Sequence, residues 1–126
     1  FEIKGAENER IVHDTKTNLN WQQQFNHNLL TWDEAMTYCG SLNYGGSNYS
    51  GWRLPTAEEM EYLIPDYRYP EETGFNKAFP DILIDNFYWT FSSGTIEGEY
   101  RMGFLYFIGY ASNYGLDEKG YVRCVY

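Results

Sequence analysis

The stretch Thr31-Trp-Asp-Glu-Ala-Met-Thr-Tyr-Cys-Gly-Ser-Leu42 places a cysteine on the apolar stripe of a short helix. Thr31 with Glu34 three residues on is a capping box, in which each side chain takes a backbone N–H that the first turn leaves unsatisfied. Trp32, Ala35, Met36, Cys39 and Leu42 then recur at three- and four-residue steps, so Cys39 faces a core. Gly40 and the run Asn-Tyr-Gly-Gly-Ser-Asn-Tyr-Ser-Gly, 43–51, end this helix in a loop. Asn48-Tyr49-Ser50 is a glycosylation sequon, a triplet common by chance.

Upstream, Ile11 and Val12 lead into a polar tip at Thr15 to Asn18, and Leu19, Trp21 and Gln23 share one face on the return. The alternation predicts a hairpin, with Asn18 taking a left-handed backbone at the tip. Downstream, Trp-Arg-Leu-Pro-Thr-Ala-Glu-Glu-Met-Glu-Tyr-Leu, 52–63, repeats the capping box at Thr56 and Glu59. Pro55 holds Leu54 extended, so the chain arrives straight and turns into a second short helix, with Met60, Leu63 and Ile64 as its apolar stripe before Pro65. From Asp66 to Asp85 no clean period exists, which predicts a long irregular excursion with room for one helical turn. Three aromatic and β-branched runs, 86–93, 99–110 and 120–126, predict three closing strands. In the last, Val122, Cys124 and Tyr126 point one way and Tyr121, Arg123 and Val125 the other.

The chain has 126 residues, the size of one domain, and a formal charge of −9, which argues against nucleic acid and other polyanions. No run approaches the apolar length of a membrane helix, and the first ten residues lack the pattern of a secretory signal. A soluble domain is expected, with any signal removed or carried by a longer parent. Tyr, Phe and Trp make up 20% of the chain, enough to expect some displayed for recognition beyond those that pack a core. The two cysteines, Cys39 and Cys124, form either one disulfide or two buried thiols. No CxxC pattern or Cys/His cluster suggests zinc, and His13 and His27 have no partner at ligand spacing.

The order of hairpin, cysteine-bearing helix, second helix, irregular region and strands ending in a cysteine resembles the C-type lectin fold, an α+β fold with two short helices on small antiparallel sheets and a long loop region. More specifically, the motifs at 12–21, 31–39, 52–63, 88–93 and 122–125 together resemble the bacterial family named for the C-terminal domain of a Legionella collagen-like surface adhesin. The resemblance spans Ile11 to Tyr126 and implies one domain over 1–126, with Cys39 and Cys124 bridged from first helix to last strand. Closing so long a loop stabilises by about 4.5 kcal/mol in the chain-entropy estimate. Two positions depart from the family: Asn18 stands where glycine is usual, and Phe91 interrupts a Trp-Thr-Ser-Ser run.

The fold's lectins commonly bind sugar through calcium, but their Glu-Pro-Asn or Gln-Pro-Asp triplets are absent around Pro70 and Pro80, as is an Asp-x-Asp-x-Asp loop. No cofactor is expected; oxygen ligands for calcium would have to come from Asp81, Asp85, Asn86, Glu97 and Glu99, a set better read as a solvated acidic face. Formylglycine-generating enzymes of related fold use reactive cysteines, whereas both cysteines here fit a structural bridge, and Glu58 and Glu59 fit capping and solvation. The chain is therefore expected not to be an enzyme.

Trp52 and Arg53 could stack and bond a sugar, but Trp52 and Leu54 must pack the extended segment while Arg53 pairs with a carboxylate or helix-end carbonyls. Thr31, Glu34, Trp52, Leu54, Pro55, Thr56 and Glu59 are thus assigned to architecture. The expected ligand surface is Tyr88, Tyr100, Arg101, Tyr106, Tyr110, Asn113 and Tyr114, which mix flat aromatic faces with polar tips. The function expected is non-enzymatic binding of glycan or protein on a cell surface by an extracellular bacterial adhesin module. The alternatives are an assembly module that caps or oligomerises a longer parent, and a variable receptor-binding protein of a diversity-generating element, to which Gly109 to Gly115 loosely corresponds.

Overall fold

The computed structural model describes residues 1–23, 26–45, 51–83, 85–93, 100–105 and 110–126, with only the backbone described at 26, 27, 93, 100, 105 and 110. The architecture is α+β. Strands β1 (Glu2–Lys4), β2 (Ile11–Asp14) and β3 (Leu19–Gln22) form a three-stranded antiparallel sheet in that order. The predicted hairpin is β2 and β3, with Val12 opposite Trp21 and Asn18 at φ 62° in the turn. Asn tolerates this left-handed backbone better than most residues with a side chain, which is how it substitutes for glycine.

Strand β4 (Asn26–Leu30) leads into α1 (Trp32–Gly40), which is capped as expected: the Thr31 hydroxyl accepts the Glu34 N–H and the Glu34 carboxylate accepts the Thr31 N–H. Helix α2 (Ala57–Glu61) carries the same reciprocal cap at Thr56 and Glu59. The region expected to be irregular instead holds three short helices, α3 (Ile64–Arg68), α4 (Pro70–Thr73) and α5 (Phe75–Ala78). Pro65 and Pro70 lie in first turns, where a missing N–H costs nothing, so they start helices rather than stop them. Gly74, at φ 79°, makes the left-handed corner between α4 and α5.

The second sheet runs β4-β8-β5-β6-β7, with β5 (Tyr88–Ser93), β6 (Tyr100–Leu105), β7 (Tyr110–Gly115) and β8 (Gly120–Val122). Its pairs are antiparallel except β5 with β8. Among the described residues four strands close the chain where three were expected, because the run 99–110 contributes to two of them, β6 and the start of β7. Strands β1 and β4 were also missed, being short and polar with no apolar alternation to announce them. Past β8 the chain stays extended, and Val125 bridges both Trp21 and Arg53, stitching the two sheets together.

Two cores lie on opposite sides of these closing strands. Val12, Trp21, Met60, Leu63, Phe75, Phe79, Tyr88, Phe104, Tyr121 and Val125 form the core under α2, α3 and α5. Ile11, Ala35, Cys39, Trp52, Leu54, Phe87, Trp89, Val122 and Cys124 form the core under α1. The expected alternation of the last segment is present, with a core on each side of it. Cys39 and Cys124 are disulfide-bonded, Cα to Cα 5.6 Å, within the α1 core. Among the described residues, no helix is long and apolar enough to cross a membrane.

Candidate functional site

The segment Trp52 to Thr56 is tied down atom by atom. Trp52 is 3% exposed, donates its indole N–H to the Tyr44 carbonyl at 3.2 Å and meets the Tyr44 ring edge-on. Leu54 and Pro55 are buried. Arg53 turns its guanidinium to Glu59 in a two-pronged pair of 2.7 and 2.8 Å. Burial acts to raise the Glu59 pKa, but the bonds from Arg53 and from the Thr56 N–H outweigh it and hold the carboxyl below its ordinary value. One carboxylate thereby serves as helix cap and ion-pair partner at once.

The irregular chain after α5 is held down from beneath. The buried Arg123 guanidinium donates to the Gln22 and Gln23 carbonyls at 2.6 Å each, reaches Asp81 at 3.3 Å and lies 4.9 Å over the Phe79 ring. Tyr121 donates to Asp85 at 2.9 Å. Tyr88, expected on the ligand surface, is fully buried in the core under α2, where its hydroxyl donates to the Leu83 carbonyl and accepts the Leu83 N–H. Burial pushes its pKa up to about 12, against the opposing effect of nearby Arg123. Tyr88 thus anchors a loop to a strand, because position 88 falls on the inward face of β5.

The remaining expected residues divide by strand and face. Arg101 on β6 and Tyr114 on β7 stand directly opposite in the ladder, on the face that packs toward α1. Asn113, next along β7, is exposed on the opposite face. Tyr106 lies outside the described residues, and Tyr100 and Tyr110 are placed by backbone alone at the ends of β6 and β7.

Arg101 is met on this face by Trp32, the first residue of α1, assigned from sequence to the core stripe alone. It is half-buried, its indole N–H donates to the Thr90 carbonyl at 2.9 Å, and Arg101 lies over its ring at 4.4 Å. Tyr114 stacks on Phe87 at 3.6 Å, nearly parallel, and meets Trp89 edge-on. Gly103, between Arg101 and the strand end, makes this stack fit: a Cβ there would come within 2.4 Å of Phe87 and 2.8 Å of Tyr114. The result places an indole, a guanidinium and a phenol on the same side of the sheet as one platform, each held by a named neighbour. The cue in the sequence was a tryptophan at the first helical position, where half of its ring stays at the rim.

Clefts among the described residues also lie elsewhere. One of about 280 Å3 between the β2–β3 turn and α3–α4 is lined by Asp14, Lys16, Asp66 and Glu72, with Lys16 paired to the buried Asp66 at 3.1 Å. A smaller, apolar crevice of about 160 Å3 is lined by Met36, Trp52, Leu54 and Phe91. Phe91, which interrupts the Trp-Thr-Ser-Ser run, is 53% exposed at its mouth. Among the described residues, no group of three or more His, Cys, Asp or Glu converges as a metal site. Asp81 and Asp85 are engaged with Arg123 and Tyr121, and Glu97, Glu99 and the sequon at Asn48 lie outside the described residues.

Comparison with curated proteins finds no match. The family model of the Lcl C-terminal domain matches residues 10–126, nearly the whole chain, and the chain belongs to that family.

Proposed function

We propose that this chain is one C-type-lectin-like domain that binds a glycan or protein ligand outside a bacterial cell, as the adhesive module of a larger surface or secreted protein, without catalysis. The observation that carries the reading is the platform of Trp32, Arg101 and Tyr114. A guanidinium stacked on an indole keeps its geometry without a flexible search, and an aromatic ring beside it offers a flat face, so little order has to be imposed when a ligand arrives. Family membership supports the setting, since the family's namesake is a surface adhesin and the family is not a known enzyme family. The disulfide supports an oxidising location. Among the expected ligand residues, Arg101 and Tyr114 remain central, Asn113 belongs to the opposite face of the sheet, and Trp32 joins them.

The test is a glycan array and a binding assay on host-surface extracts, with and without EDTA, comparing the wild type with Arg101→Ala and Tyr114→Ala. Binding is expected to survive EDTA and to fall at least ~10-fold in each variant, the loss of one good contact. Binding that is unchanged in both variants, or absent from folded wild-type protein, rejects the platform as the site.

A further inference from the structure

The ladder between β5 and β6 is broken beside the platform. Tyr88 and Trp89 stand opposite Phe104 and Gly103, and the register resumes only at Ser93, opposite Arg101. Three residues of β5, Thr90 to Ser92, therefore span the space that Met102 alone fills on β6. Such a β-bulge bends its strand and re-aims the side chains around it. In an unbroken register Phe91 would stand directly opposite Arg101. The bulge instead places Phe91 at the mouth of the apolar crevice beside Met36, and Arg101 lies over Trp32.

Thr90 closes the bulge from within. It is fully buried, and its hydroxyl donates to the Met102 carbonyl at 2.7 Å and accepts the Ser92 N–H at 3.3 Å, so one side chain serves two backbone groups. Two further bonds tie the bulge to the start of α2: the Phe91 N–H donates to the Pro55 carbonyl at 2.7 Å, and the Ser92 hydroxyl accepts the Ala57 N–H at 3.0 Å. A last tie runs to the platform, where the Thr90 carbonyl accepts the Trp32 indole N–H at 2.9 Å.

We infer that Thr90 is a positioning residue of the platform, holding the bulge in the shape that presents its carbonyl to Trp32 and so sets the ring under Arg101. An indole has a single N–H donor, so the place of its acceptor limits where the ring can lie. Trp32 is half-buried at a rim, where packing restrains it on one side, and the bond to a buried residue supplies the rest. The ordering is done before a ligand arrives. Through Pro55 and Ala57 the same bulge joins the platform to the segment 52–57, which supports a surface it does not itself present. The effect of Thr90 on binding rests on the proposed platform; its hold on Trp32 does not.

The test is hydrogen exchange at the indole N–H groups of Trp32, Trp52 and Trp89, followed by NMR, since these donate to the carbonyls of Thr90, Tyr44 and Leu30. Thr90→Val keeps the shape and removes the hydroxyl, so the Met102 carbonyl and the Ser92 N–H lose that partner. Exchange at Trp32 is expected to rise at least ~10-fold relative to Trp52 and Trp89, the scale of one lost hydrogen bond opened locally. Thr90→Ser, which keeps the hydroxyl, is expected to restore the wild-type rate. Signal on the glycan array is expected to fall with Thr90→Val and to return with Thr90→Ser. Should Thr90→Val fail to fold, Ser92→Ala, which cuts the tie to Ala57, is expected to show the same selective rise at Trp32. A rise shared equally by the three indoles, no rise at Trp32, or a Thr90→Ser variant that behaves like Thr90→Val overturns the proposal. Wild type without array signal rejects the platform as a binding site, and the exchange rates still decide whether Thr90 holds Trp32.

Discussion

Trp52 and Trp32 each lie near an arginine, and the two pairs are built in opposite ways. Trp52 is followed in the chain by Arg53, yet its ring is enclosed among Tyr44, Leu54 and Tyr126 while the guanidinium turns away to Glu59. Trp32 has no arginine near it in the chain, yet Arg101 from β6 lies 4.4 Å above its ring at a half-exposed rim. Extended backbone explains the first case: successive side chains point to opposite sides, so neighbours in sequence are separated in space. The second arises because α1 packs against β5, with Trp32 bonded to the Thr90 carbonyl, where the Arg101 side chain reaches it from the neighbouring β6. A tryptophan–arginine pair read from adjacency is therefore architectural here, and the pair that can meet a ligand is assembled by the fold.

The sharpest way to break this contrast is to truncate both rings. Trp52→Ala leaves a cavity in a filled core and is expected to cost about 3–5 kcal/mol, enough to unfold a marginal domain. Trp32→Ala removes a half-buried ring, one hydrogen bond and one cation–π contact, and is expected to cost about 1–2 kcal/mol while weakening binding. Chemical denaturation of the two variants measures the difference, and equal losses would erase the contrast.

A smaller effect separates the two arginines by pH. Glu59 has its folded pKa below the ordinary 4.5, so its cap and ion pair contribute fully above that value and fade as pH falls through the lower folded one. Wild type is therefore expected to lose melting temperature between about pH 5 and pH 3 more steeply than Glu59→Gln, which starts lower by about 1 kcal/mol. Parallel profiles would show that the Arg53–Glu59 contact adds nothing. The smallest expected change is that of Arg101→Ala, whose cation–π contact at a half-exposed site contributes about 0.5–1 kcal/mol, so its stability should match wild type within that margin while its binding does not.

Much of the frame was legible from local rules. Capping boxes at Thr31 and Thr56 are written in four-residue patterns that need no tertiary partner, and both helices begin where those patterns place them. The hairpin with its left-handed Asn18 follows from alternation and turn chemistry. The region after Ile64 was not legible, because helices of four or five residues carry too few turns to show a period, and their prolines read as terminators. Nor was Tyr88 legible as an anchor: a tyrosine in an aromatic run looks the same whether its hydroxyl meets water or the Leu83 backbone.

The sequence by itself determined the helix starts, the inward face of Cys39, the two-sided alternation of residues 121–126 and the family to which the chain belongs. Each depends on spacing within a dozen residues or on motifs in order. Only the tertiary structure decided that both faces of the closing segment are buried and that α1 lays Trp32 under Arg101. Those facts turn on which elements pack together across long stretches of chain, and such contacts are selected by the burial of whole faces, which no local pattern records.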